Sequence, residues 1–119
     1  TIGNSFERLL FMNSALFGMI EDSVSLDLLG RLYSSQLVTK GEKQLLDYNR
    51  MYYKLLREVV SDGQKAGEIR VDLSTNDIVK TYALLERGLL YDWCICNGDY
   101  PLKDYAAKLM PQLLAFIKV

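Results

Sequence analysis

Apolar residues recur at spacings of three and four along nearly the whole chain, and no segment sustains strict apolar–polar alternation. A period near 3.6 gives a helix one greasy face, whereas a half-buried strand needs a period of two. The one short piece that reads as extended is "EIRVDL", residues 68–73. The chain is therefore expected to be all-α. Its 119 residues suit a single domain, 1–119, with a core that needs no staples.

Start and stop signals divide the sequence into five helices. The first is expected from "NSFE", where Asn4 and Glu7 have capping-box spacing, to about Ile20. A weaker second covers roughly Ser25 to Val38 and is broken by "TKG". The third runs from about Gly41 to Ala66, and the fourth from Ser74, an N-cap with Asp77 three residues on, to about Asn97. "NGDYP" then makes a turn. Pro101 suits a first helical position, and a fifth helix carries the chain nearly to Val119, kinked at Pro111.

Between the third and fourth helices, "VVSDGQKAGEIRVDLSTNDI" reads as a helix–loop–helix joint. Gly67 is placed to take the left-handed conformation that ends a helix, letting Ile69 fold back onto the helix it left. Gly63 lies inside the last turn, where glycine costs about 1 kcal/mol relative to alanine. That cost implies a neighbour that needs close backbone approach.

Several functions find no support. With 14 Lys plus Arg against 15 Asp plus Glu, a net charge of −1 gives no electrostatic reason to expect these residues to hold nucleic acid by themselves, since phosphate binding needs clustered cations. The longest strongly apolar uncharged run, Leu9 to Ile20, has 12 residues, and a membrane-spanning helix needs about 20. There is no histidine, hence no Ser-His or Cys-His pair and no His-based metal site. Cys94 and Cys96 project about 200° apart on a helix, which is poor metal geometry and suggests two buried structural thiols. Glu21 and Asp22 sit at a helix end, where capping or solvation accounts for them. The chain is not expected to be an enzyme and implies no cofactor. A reducing, cytoplasmic compartment fits its two cysteines.

Placed on helical projections, three helices each carry one polar group on an apolar face. Asn13 is flanked by Phe6, Leu9, Leu10, Leu16, Phe17 and Ile20. Asn49 lies among Leu45, Tyr52, Tyr53, Leu56, Val59 and Val60, and Glu86 falls amid Val79, Tyr82, Ala83, Leu85, Leu89, Leu90 and Trp93. On one reading Asn13, Asn49 and Glu86 converge with nearby tyrosine hydroxyls on a pocket for a mostly apolar ligand, with Glu86 a counter-ion if that ligand is cationic. The candidate lining is Asn13, Leu16, Phe17, Tyr33, Asn49, Tyr52, Tyr53, Leu56, Tyr82, Glu86 and Trp93. On the other, each polar group is satisfied internally by Tyr33, Tyr52, Tyr82 or backbone, and Met12, Met19 and Met51 are core filler rather than pocket lining.

The fourth helix also carries Leu84, Tyr91 and Ile95 off its main arc, so it is apolar nearly all round and needs cover on every side. Self-association supplies that cover. The interface expected is Leu84, Gly88, Tyr91 and Ile95 with Tyr105, Ala106, Leu109, Met110, Leu113, Leu114 and Ile117. Trp93 belongs to the pocket or to this interface.

The segment "EVVSDGQKAGEIRVDLSTNDIVKTYALLERGLLYDW" resembles the seventh and eighth helices of TetR-type bacterial transcriptional regulators. The carrying motif is "GxxxGxIR-x-D", here Gly63, Gly67, Ile69, Arg70 and Asp72, followed by a helix with Gly88 near its middle and Trp93 beyond it. "SFERLLFMNSALFGMIED" and "SLDLLGRLYSSQLV" fall where that family's fifth and sixth helices would. The resemblance implies a homodimer whose last two helices form a four-helix bundle with their twofold mates. It also implies an effector in the helical core that releases the parent protein from DNA. The family's DNA-binding headpiece does not occur in these residues, so DNA would be reached only through it. The chain opens on Thr1 rather than methionine, and an upstream segment is expected. A structural dimerisation domain with a filled core is the alternative, and a small helical enzyme using Glu86 as acid or base is a third possibility.

Overall fold

Each α-helix leaves four N–H groups without an intrahelical partner at its start, and here two of the helices draw their caps from far along the chain. The computed structural model describes residues 4–23 and 40–119, with side chains described for 4–22 and 50–119. Among these residues there are four α-helices and no strand: α1 (Ser5–Ser23), α2 (Lys40–Lys65), α3 (Thr75–Ile95) and α4 (Leu102–Leu113), closed by a 3₁₀ turn at Leu114–Ile117. The helix expected at 25–38 lies outside the described residues, as do Tyr33 and the side chain of Asn49.

Asn4 caps α1 as its spacing predicts, its Oδ1 accepting from the Glu7 N–H at 3.0 Å. Two further N-terminal groups, the Ser5 N–H and hydroxyl, donate to Glu68 Oε1 at 3.0 and 2.8 Å, across 63 positions of sequence. These bonds hold the Glu68 carboxyl below the usual range. Ser74 caps α3 by accepting from the Asp77 N–H at 3.0 Å. At α4, Pro101 supplies no side-chain cap, and the carboxylate of Glu21 accepts from the N–H groups of Leu102 and Lys103 at 2.9 and 3.1 Å. An acidic group on these N–H groups also meets the positive end of the helix dipole. Glu21 is thus a cap, but for α4 rather than for its own helix.

The joint after α2 closes as its glycines require. Gly67 has φ +75°, and the N–H groups of Glu68 and Ile69 both return to the Gly63 carbonyl, at 2.8 and 3.1 Å. Gln64, unremarked in the sequence, straps the loop: its Nε2 donates to the carbonyls of Arg70 and Leu73, and its Oε1 accepts from Thr75 Oγ1. The extended piece at 68–73 forms no strand, only a single bridge from Ile69 to Lys118. Arg70 secures that bridge. Its N–H donates to the Ile117 carbonyl and Nη1 to the Phe116 carbonyl, while the rest of the guanidinium forks onto Asp72. The Arg70–Asp72 pair is open to solvent and adds little stability on its own; it aims Arg70 at the carboxy-terminal carbonyls.

The helices pack in a ring, α1 against α2 and α4, and α3 against the same two, so that α1 and α3 face each other across it. The core is filled by Leu9, Phe17, Leu56, Ile78, Tyr82 and Met110 with their neighbours, all essentially without exposure. Pro111 lies inside α4, and the α-helix gives way to the 3₁₀ turn after Leu113, short of the run toward Val119 expected from periodicity.

Gly63 shows why a residue unfavourable in helices is used. A Cβ at this position would lie 2.6 Å from Ile69 Cδ1 and 2.7 Å from Ser5 Cβ. Gly63→Ala should therefore destabilise the domain by about 1–3 kcal/mol in urea unfolding, overpacking outweighing the better helix propensity of alanine. A neutral or stabilising result would show that α1 and the joint can shift at no cost.

Candidate functional site

Glu86 is only 4% exposed. It lies on the face of α3 that looks across the ring, and side chains from α1 and α2 meet it there. Asn13 Nδ2 donates to Glu86 Oε2 at 2.9 Å, and the Tyr52 hydroxyl donates to the same oxygen at 2.8 Å. Tyr52 and Tyr82 hydroxyls lie 3.2 Å apart, and Tyr82 donates to the Leu9 carbonyl of α1 at 2.8 Å. Four side chains on three helices thus form one connected polar cluster inside an apolar core. Helical spacing places each of them inward; which groups meet is not visible in it.

A charge taken out of water is costly unless it is paired, and these two bonded partners of Glu86 are neutral. Burial pushes its carboxyl up to about 7, against the opposing pull of the hydrogen bonds from Asn13 and Tyr52, of the nearby Tyr82 hydroxyl and of the Arg87 charge. Burial, with the neighbouring carboxylate, also drives the Tyr52 and Tyr82 phenols well above their ordinary value and keeps them neutral. No buried side-chain nitrogen or oxygen lacks a hydrogen-bond partner among the described residues.

The other candidate lining residues distribute differently. Phe17 and Leu56 are fully buried in the core, and Leu16 is half-buried against it. Tyr53 faces outward enough for its hydroxyl to accept from Arg87 Nη2 at 3.0 Å, with the guanidinium carbon 5.8 Å from its ring centre. Trp93 is buried and its indole N–H donates to the Tyr100 carbonyl at 2.9 Å, so it ties α3 to the turn before α4. Met19 and Met51 are exposed at 41% and 67%, so neither is core filler. Of the thiols expected to be buried, Cys94 is half-buried and Cys96 is exposed.

The interface candidates split into two sets. Leu84, Gly88, Tyr91 and Ile95 on α3 are exposed, as are Tyr105 and Leu113 on α4. Ala106, Met110, Leu114 and Ile117 are not interface residues: each is at most 1% exposed and fills the subunit's own core. Leu109 is intermediate. α4 is amphipathic, and its inner stripe closes the ring against α1 and α3.

At the far side of the joint, Gly67, Ile69, Arg70, Val71, Asp72, Lys118 and Val119 line an open groove of about 540 Å³. Lys118 Nζ sits over the Phe6 ring at 4.4 Å, covering the start of α1. No group of three or more His, Cys, Asp or Glu side chains able to hold a metal occurs among the described residues. No described helix is long and apolar enough to cross a membrane. No protein-family model, curated protein or solved structure matches this chain.

The cluster's contribution can be measured through Asn13. Asn13→Leu should cost about 1–3 kcal/mol in denaturant unfolding, because Glu86 loses a buried donor. In a double-mutant cycle with Glu86→Leu, the two losses should fall short of additivity by about 0.5–3 kcal/mol. Additive losses would mean that the two side chains do not interact in solution.

Proposed function

We propose that this chain is the effector-sensing and dimerisation domain of a TetR-type repressor. It is a cytoplasmic, regulatory rather than catalytic, all-α domain that takes a small, mostly apolar ligand. Ligand entry displaces the helices that lead to the DNA-binding headpiece, so the paired reading helices no longer match half-sites about one DNA turn apart.

One observation carries the sensing half of this reading: a carboxyl group in the middle of the ring, bonded to α1 and α2 by neutral donors. A buried acid of that kind favours a cationic group on the ligand, and the Tyr52 and Tyr82 rings beside it suit a cation flanked by apolar surface. For the dimerisation half, support comes from α3. Leu84, Tyr91 and Ile95 follow the spacing of one helix face and are 53%, 54% and 61% exposed. Between them, a Cβ built on Gly88 meets nothing within 4 Å, so no described contact inside the subunit accounts for a glycine there. A second copy packing closely at Gly88 does account for it. The resemblance of the Gly63–Asp72 joint to the TetR pattern supplies the rest, and DNA is contacted only through the headpiece of the parent protein.

A structural dimerisation domain with a filled core is the second reading, favoured by the complete pairing of buried polar side chains among the described residues.

Native mass spectrometry of the chain tests both halves. A dimer is expected, and Gly88→Arg, which has open space within the subunit, should yield a folded monomer. A wild-type monomer overturns the dimer. For the pocket, a permanently cationic apolar probe such as tetraphenylphosphonium should bind wild type and lose at least tenfold in affinity in Glu86→Gln. A neutral apolar probe should be affected far less. Equal loss for both removes the counter-ion role, and no binding of either favours the filled core.

A further inference from the structure

The hydrogen bonds around Glu86 have a definite polarity. Tyr82 gives its one hydroxyl hydrogen to the Leu9 carbonyl at 2.8 Å, so toward Tyr52 it acts as an acceptor. The Tyr52 hydroxyl then has a single hydrogen and two acceptors within reach, Glu86 Oε2 at 2.8 Å and Tyr82 Oη at 3.2 Å. With Glu86 ionised, that hydrogen points at the carboxylate. With Glu86 protonated on Oε2, the carboxyl hydrogen points at Tyr52, whose own hydrogen turns to Tyr82. Both states find a hydrogen-bond pattern, yet only the protonated one leaves the core without a charge.

We infer that the Asn13–Tyr52–Tyr82–Glu86 cluster is a proton-operated latch: protonation of Glu86 from solvent closes α1, α2 and α3 on one another, and loss of that proton loosens their junction. The latch needs neither ligand nor second copy, so it stands apart from the small-molecule reading. The ionisable and charged groups described around it are Tyr52 and Tyr53 on α2 and Tyr82 and Arg87 on α3, while α1 presents the uncharged Asn13 amide. Arg87 is exposed and donates to Tyr53. The junction is placed to transmit a change, because Tyr82 and Glu86 link α3 to α1 across the ring at two points, the Leu9 carbonyl and the Asn13 amide.

The direction of the effect follows from where the proton is held more tightly. Glu86 moves from an ordinary 4.5 up to about 7 on folding. The folded chain therefore keeps a proton that the unfolded chain releases, and stability is full below about 4.5 and lost as pH rises through about 7. The chain has no histidine, the side chain whose unperturbed charge change falls between pH 5 and 8.

Urea unfolding at fixed chain concentration from pH 5 to 8 tests the latch. The wild-type unfolding constant should rise by roughly tenfold per pH unit toward pH 7 and level off above it, one proton being released per unfolding event. Glu86→Gln, neutral at every pH, should remove that rise. In wild type alone, amides of α1 near Leu9 and Asn13 should lose protection from hydrogen exchange above pH 7, beyond the intrinsic rise in rate. Parallel profiles for the two proteins overturn the latch. If Glu86→Gln does not fold, the ¹³C carboxyl resonance of Glu86 in the wild-type chain decides: a midpoint near neutrality supports the latch, and one in the ordinary carboxylate range overturns it.

Discussion

A carboxyl group enclosed by helices must be neutralised or bonded before those helices can close, and Glu86 imposes that condition at the centre of this domain. Its hydrogen bonds from Asn13 at 2.9 Å and from Tyr52 at 2.8 Å fix how α1 and α2 approach α3. Apolar side chains such as Phe17, Leu56 and Ile78 fill the space around it, but apolar packing is non-directional and tolerates small rotations. Hydrogen bonds to one carboxyl oxygen do not. The cluster therefore selects one arrangement of the ring from the several that a greasy interior allows.

A second layer of specification comes from carboxylates that cap helices other than their own. Glu21, at the end of α1, holds the first N–H groups of α4, and Glu68, in the joint after α2, holds the start of α1. Each ties a helix terminus to a distant part of the chain, so the ends of the ring are tethered as well as its middle. The joint adds its own constraints through the Gly67 turn, the Gln64 strap and the Arg70 bonds to the Phe116 and Ile117 carbonyls. The close approach at Gly63 brings α1 and the joint together.

The helices were legible from sequence because their determinants are local. Asn4 and Ser74 cap through a residue three positions on, Gly67 stops a helix through its own backbone freedom, and the period of apolar residues names the buried face. The same reasoning overran at the carboxy terminus, where it extended a helix past Pro111 toward Val119, and it placed Ala106, Met110, Leu114 and Ile117 at an interface. Periodicity reports that a face must be covered. It does not report by what, and here α1 and α3 of the same subunit lie close enough to cover that stripe.

The amino-acid sequence by itself determined an all-α chain, the limits of most described helices to within a few residues, the joint at Gly63–Asp72 and the inward placement of Asn13 and Glu86. Each of these follows from interactions within about one helical turn or from a pattern along one helix. Only the tertiary structure decided that Asn13, Tyr52 and Tyr82 gather at Glu86, that Glu21 and Glu68 cap remote helices, and that Leu84, Tyr91 and Ile95 remain exposed. Those facts depend on which helices become neighbours and at what rotation, a choice made by the summed packing of the whole core rather than by any one segment.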